Sequence, residues 1–111
     1  MAYDEELAQR LRTLLAEQGE ATEEKKMFGG LGFLVRGNMS VAASGQGGLL
    51  ARIGPEDADE CLARPGAEPM EMRGRTMTGW IRVSSDALAS DNDLGWWVDR
   101  SLAYVRTLPP K

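Results

Sequence analysis

The residues best placed for chemistry lie in the glycine-rich stretch KKMFGGLGFLVRGNM, residues 25–39. Glycine loops beside basic residues can cradle phosphate groups, as in nucleotide-binding enzymes. A dinucleotide fingerprint needs G-x-G-x-x-G at the start of a helix, and a P-loop needs G-x-x-x-x-G-K-[ST]. Here Gly30-Leu31-Gly32 leads into an apolar strand pattern, and Gly37 is followed by Asn38. The stretch therefore predicts strands and turns, not a phosphate site.

The sequence gives little support for other arrangements of catalytic or metal-binding residues. The chain has no histidine and one cysteine, Cys61, so a Ser-His-Asp or Cys-His arrangement is excluded and a zinc site is disfavoured. The carboxylates at 56–60 lack the alternating spacing of a calcium loop. We predict no catalytic residue, no cofactor and no metal site. A small enzyme that works with carboxylates and arginines is kept as an alternative.

Length and composition indicate one domain spanning residues 1–111, with 42% apolar and 27% charged residues. The formal net charge of −4 argues against a protein built only to grip nucleic acid. Residues 25–82 nevertheless carry eight basic and six acidic side chains, which leaves room for a local basic patch. Cys61 allows no internal disulfide, and no long apolar run or secretion signal is visible, so we expect a cytoplasmic protein.

Two amphipathic helices are predicted at the ends of the chain. Residues 4–18 repeat leucine at three- and four-residue spacing, and Gly19 is a natural stop. The last helix can be capped by Asp91 or Asp93. Its apolar stripe consists of Leu94, Trp97, Val98, Ser101, Leu102, Val105 and Leu108.

Short apolar segments between the helices predict strands, namely MFGG with LGFLVRG, then MSVAA, LLARI, EPMEM and TMTGWIRV. Gly37-Asn38 predicts a hairpin turn, EATEEKK a polar connection, and GPEDADECLARPG a short helix. Together these elements predict an α+β fold. It has an antiparallel sheet of about five strands, the N- and C-terminal helices packed on it, and a short helix inserted mid-chain.

The candidate binding residues are tryptophans and arginines. Trp80 and Arg82 are two apart on one strand, so they share a face and could form a base-stacking platform. Arg73 and Arg75 lie near the preceding turn and could add polar contacts. Trp96 is a candidate anchor for a partner or for a homodimer, with packing at the edge of its own domain as the alternative. The methionines of the sheet region are expected to fill the core.

Four blocks resemble the N-terminal domain of the TfoX/Sxy family: MFGGLGFLVRGNM at 27–39, LLARI at 49–53, GAEPMEM at 66–72, and TGWIRVSSDAL with the helix that follows. The family is known for competence regulators that act with the cyclic-AMP receptor protein and carry a second, helical domain. The four blocks span nearly the whole of this chain, so the resemblance implies a stand-alone copy of the N-terminal domain. Such a copy would be a non-catalytic module for transcriptional regulation. Its partner would be a protein such as a transcription factor, with direct nucleic-acid binding as the alternative.

Overall fold

An antiparallel sheet with helices against one face organises the chain, and the computed structural model describes residues 3–27, 29–72 and 74–110. The elements are α1 (Glu5–Glu17), β1 (Thr22–Met27), β2 (Gly30–Val35), β3 (Asn38–Ala43), β4 (Leu49–Arg52), α2 (Ala58–Leu62), β5 (Ala67–Met72), β6 (Arg75–Val83) and α3 (Asp91–Val105). Short 3-10 turns precede α2 and α3. The strand order is β1-β2-β3-β4-β6-β5. The predicted α+β fold is confirmed, with six strands in the sheet.

Helix α1 begins and ends as its sequence predicts. The Asp4 carboxylate accepts hydrogen bonds from the backbone N–H groups of Glu6 and Leu7, at 3.0 and 3.1 Å. Gly19 has φ +77° and donates to the Ala16 carbonyl, which forms a glycine C-cap. The leucine stripe of the helix faces the core.

Helix α3 is capped by Ser90, so the prediction of Asp91 or Asp93 as the cap is wrong. Ser90 has extended backbone angles, and its hydroxyl oxygen accepts from the Asp93 N–H at 3.1 Å. Asp93 in turn accepts from the Ser90 hydroxyl at 3.0 Å, a reciprocal arrangement like a capping box. Both aspartates lie in the first turn, where their negative charges interact favourably with the positive end of the helix dipole.

Strand β1 lies where a polar connection was predicted, in the segment TEEKKM. It forms one edge of the sheet, and it has charged residues on both faces, which is how edge strands avoid pairing with other chains. Glu24 points towards α1 and accepts from Arg12 at 2.6 and 2.8 Å. These hydrogen bonds lower the pKa of the Glu24 carboxyl. The sequence of β1 lacks the apolar–polar alternation that predicts a half-buried strand, because neither face of this edge strand needs to be apolar.

The turn between β2 and β3 consists of Arg36 and Gly37, one residue earlier than predicted. Both have positive φ, +54° and +83°, as a type I′ hairpin turn requires. Asn38 already belongs to β3. Arg36 is the one non-glycine residue with positive φ in the described ranges 3–27, 29–72 and 74–110.

We expect Arg36→Asn to raise the free energy of unfolding by about 0.5–1 kcal/mol, because asparagine tolerates the left-handed region better than arginine does. Urea denaturation followed by circular dichroism measures the change. Arg36→Ala removes the charge but keeps the strain, and should leave stability within about 0.5 kcal/mol. Equal stabilisation by both substitutions would contradict the strain argument.

The helix-covered face of the sheet carries the core. The largest buried side chains there include Phe33, Ile81 and Trp97. The β2–β3 register shifts between Phe33 and Leu34, which leaves Ser40 as the extra residue of a β-bulge. Ser40 faces α3, where its hydroxyl bonds the Ser101 hydroxyl at 2.7 Å. The bulge thereby satisfies two buried polar groups and fixes α3 on the sheet.

Candidate functional site

The second face of the sheet has no helix from the described residues packed across it, since α1, α2 and α3 all contribute to the one core on the opposite side. Along the strands, residues alternate between the two faces. Ile81 and Val83 are buried in the core, whereas Trp80 and Arg82 face the open side, as their spacing predicts. A groove of about 700 Å³ crosses this open face.

The groove has an apolar floor and a polar end. Its apolar lining residues include Met39, Ala42, Leu50, Pro69, Met70, Met77 and Trp80. Its polar lining residues are Ser44, Gln46, Glu68, Glu71 and Arg82. A few convergent polar groups beside an apolar surface are typical of binding sites, and the volume lies in the range of such sites.

One wall of the groove comes from the β5–β6 hairpin. The register between these strands breaks between Pro69 and Glu71, where β6 carries extra residues. Gly79 lies in the irregular part with φ +86°, and its carbonyl accepts from the Ile53 N–H at 2.8 Å. The same irregular part of β6 contributes Met77 to the groove, 36% exposed. The bend therefore brings distal hairpin side chains beside the floor.

Two glycines of β2 allow neighbouring groups to pack closely where a side chain would collide with them. A side chain at Gly30 would place its Cβ 2.5 Å from the Ala43 carbonyl oxygen, and one at Gly32 would lie 2.6 Å from the Met39 methyl carbon. The Met39 side chain thus lies over Gly32. The glycine-rich stretch serves close packing of strands, in agreement with the prediction of strands and turns there.

Arg82 marks the polar end of the groove. Its guanidinium donates to the Gln46 side-chain oxygen at 3.0 Å and to the Gly47 carbonyl at 3.5 Å. It makes no ion pair with any described residue, although Glu68 lies opposite it in the strand register. Arg82 is held by neutral acceptors and keeps donors for a further anion.

Of the arginines predicted as contact residues, the structure describes Arg75 and Arg82, and these two do not lie together. Arg75 is exposed at the start of β6 and does not line the groove. Arg52, in the same sheet, lies over the Tyr104 ring at 5.6 Å. Arg73 lies outside the described residues. Among the described arginines, Arg82 lines the groove together with Trp80, and Arg52 is the register partner of Trp80 on β4.

Trp96 lies on the helix side, away from the groove, and is half-buried against its own domain. The guanidinium carbons of Arg64 and Arg100 lie 3.9 and 4.7 Å from the centroid of its ring. The Trp97 ring meets it edge-on at 4.9 Å. These contacts favour packing at the edge of the domain, and a role for Trp96 in partner binding stays a prediction.

Cys61 has the environment of an inert thiol. It is completely buried, and burial raises the pKa of the thiol, so the nucleophilic thiolate is disfavoured. Arg100 opposes this shift but does not outweigh it. In residues 3–27, 29–72 and 74–110, no three His, Cys, Asp or Glu side chains gather as metal ligands would, and no helix is long and apolar enough to cross a membrane.

The expectation that methionines fill the core is wrong for Met39, Met70 and Met77, which line the groove instead. The sequence carried a signal for this placement. Residues alternate between the two faces along each strand, and this alternation puts Leu50 and Trp80 on the open face, opposite the core. Large apolar side chains therefore lie on both faces of the sheet. Apolar residues on both faces predict a second covered surface, and methionines suit an adaptable one.

A comparison with protein-family models matches residues 13–105 to the TfoX N-terminal domain. The match begins within α1 and ends at the last residue of α3, so it contains the whole sheet. No curated protein matches the chain.

Proposed function

The chain belongs to the TfoX N-terminal domain family, and we propose that it is a non-catalytic interaction module that binds a segment of another protein in the open-face groove. The observation that carries this proposal is the apolar groove lined by Met39, Met70, Met77 and Trp80. Methionine and tryptophan side chains are favoured at protein interfaces, and flexible methionines adapt to the shape of a partner. The partner we propose is a component of transcriptional regulation.

Direct binding of nucleic acid is supported less well by the same site. Trp80 and Arg82 could stack and pair with a nucleotide, but Glu68 and Glu71 line the same groove. Their carboxylates would repel a phosphate backbone. Of the described arginines outside the groove, Arg64 and Arg100 lie beside Trp96 on the helix side and Arg52 lies over Tyr104. The net charge of the chain is −4. A nucleic-acid ligand gains most of its affinity from clustered positive charge, which this face does not offer.

Site-specific crosslinking tests the proposal. A photoreactive benzoylphenylalanine replaces Met77 in the groove, and in a matched control it replaces Ala103, which is exposed on α3. Irradiation in extract from the producing cells should give one protein adduct from position 77, identified by mass spectrometry and absent from position 103. Adding Trp80→Ala should abolish it. Adducts of equal yield from both positions, or adducts with nucleic acid, would sink the proposal.

A further inference from the structure

Arg82, like Arg36, Arg52 and Arg75, forms no ion pair with any described residue, and of these four it is the one that lines the groove. Arg10, Arg12, Arg64, Arg100 and Arg106 each contact a carboxylate within 4 Å. Arg82 instead donates to one side-chain amide oxygen and one backbone carbonyl, at the edge of an apolar groove. A guanidinium has five N–H donors in a planar fork that matches a carboxylate. The groove therefore presents a cation with unused donors beside apolar surface.

A second cation lies across the same face. The register connects Lys25, Gly32, Ala42, Leu50 and Arg82 in one row across five strands. Lys25 is exposed and forms no ion pair with any residue in the described ranges. Four strand spacings of about 4.8 Å separate the two cations by roughly 19 Å at the backbone. The residues between them are apolar or small.

The floor of the groove cannot accept an added strand. It is formed by β3, β4 and β6, and each of these strands is already paired on both sides. An extended segment lying there would find no edge for its backbone N–H and C=O groups. An α-helix satisfies its own backbone, and its diameter of about 10–12 Å fits between two long cationic side chains about 19 Å apart.

We propose that the groove binds an amphipathic α-helix of a partner protein. The apolar face of that helix lies on Leu50, Trp80 and the methionines, and carboxylates along its flanks pair with Arg82 and Lys25. The proposal rests on the proposed function and names the chemistry of the partner. The helix gives the sheet a second covered face, the arrangement in which helices pack on both sides.

Glu68 sets a limit on the charge of the partner. It lines the groove and stands opposite Arg82, which turns away from it towards Gln46. A carboxylate arriving at Arg82 therefore meets repulsion from Glu68 and, from farther along β5, from Glu71, which lines the same groove. Neutralising Glu68 should strengthen binding of an acidic helix, whereas it would weaken binding of a basic one. This opposite sign distinguishes the two charge classes of partner.

A displayed library tests the inference. Single helices carry an apolar face of Leu, Ile, Met or Phe, and their flanking positions are fully randomised. A second library has the same composition with a central proline, which disfavours the helix. Both libraries are screened for peptides that bind the whole protein chain. Dissociation constants of selected peptides are then measured by fluorescence anisotropy for wild type, Arg82→Gln, Glu68→Gln and Arg75→Gln, whose arginine lies outside the groove.

We expect Asp and Glu to be enriched on the flanks of selected helices. Arg82→Gln should weaken binding about tenfold or more, since it removes a charge-assisted pair, Glu68→Gln should tighten it, and Arg75→Gln should leave it unchanged. Helices without carboxylate preference, or proline-containing binders lost with Trp80→Ala, would overturn this inference and leave the proposed function standing. The absence of any binder from both libraries would overturn both.

Discussion

Replacing Trp97 by alanine is expected to lower the free energy of unfolding by about 3–5 kcal/mol, whereas Trp80→Ala should cost less than about 1.5 kcal/mol. Trp97 is 1% exposed and belongs to the core, so its removal leaves a large cavity that the surrounding side chains cannot fill. Trp80 is half-buried in an open groove, where water can replace it. Urea denaturation followed by circular dichroism measures both changes.

The tryptophan comparison separates stability from binding. Domains of this size have total stabilities of about 5–15 kcal/mol, so Trp97→Ala removes a large fraction and can leave the chain partly unfolded. Trp80→Ala should remain folded and lose its partner. A cost for Trp80→Ala as large as that for Trp97→Ala would contradict the assignment of Trp80 to a binding surface, because the residue would then be a structural one.

Gly48→Ala is expected to destabilise the domain by about 3 kcal/mol or more, through backbone strain and a steric collision together. Gly48 has φ +76°, and an added Cβ would lie 2.4 Å from the Val83 carbonyl oxygen. Because that oxygen belongs to the backbone of β6, the collision cannot be relieved by a rotamer change. The free energy of unfolding from chemical denaturation is the quantity to measure.

The neighbouring glycine supplies the matched control. Gly47 has φ +91°, but nothing lies within 4 Å of a Cβ added there. Gly47→Ala should therefore show the strain alone, about 1–2 kcal/mol. If the two substitutions cost the same, the close approach of the β3–β4 turn to β6 contributes nothing, and the sheet end that carries Arg82 is looser than described.

The sequence by itself determined the elements whose residues obey one strong local rule. The leucine stripe and Gly19 define α1, and the apolar stripe of α3 is as clear, because a helix buried on one side must repeat its apolar residues every three to four positions. The α+β class followed from the order of the predicted helices and strands, and the family resemblance rested on four short blocks of sequence. The alternation of Trp80 and Ile81 also predicted which of them would face the core.

Features that depend on partners distant in sequence were decided only by the tertiary structure. β1 is a strand because it pairs with β2 and because Arg12 holds Glu24, whereas its own residues are those of a solvated loop. Arg82 meets Gln46 and Gly47 because β4 pairs with β6 and brings the β3–β4 turn beside it, a contact that spacing in the chain does not indicate. The groove exists because all three helices pack on one face and a bent hairpin lines the other. Sequence patterns reflect interactions between residues close in the chain, whereas the groove forms where segments far apart in the chain come together.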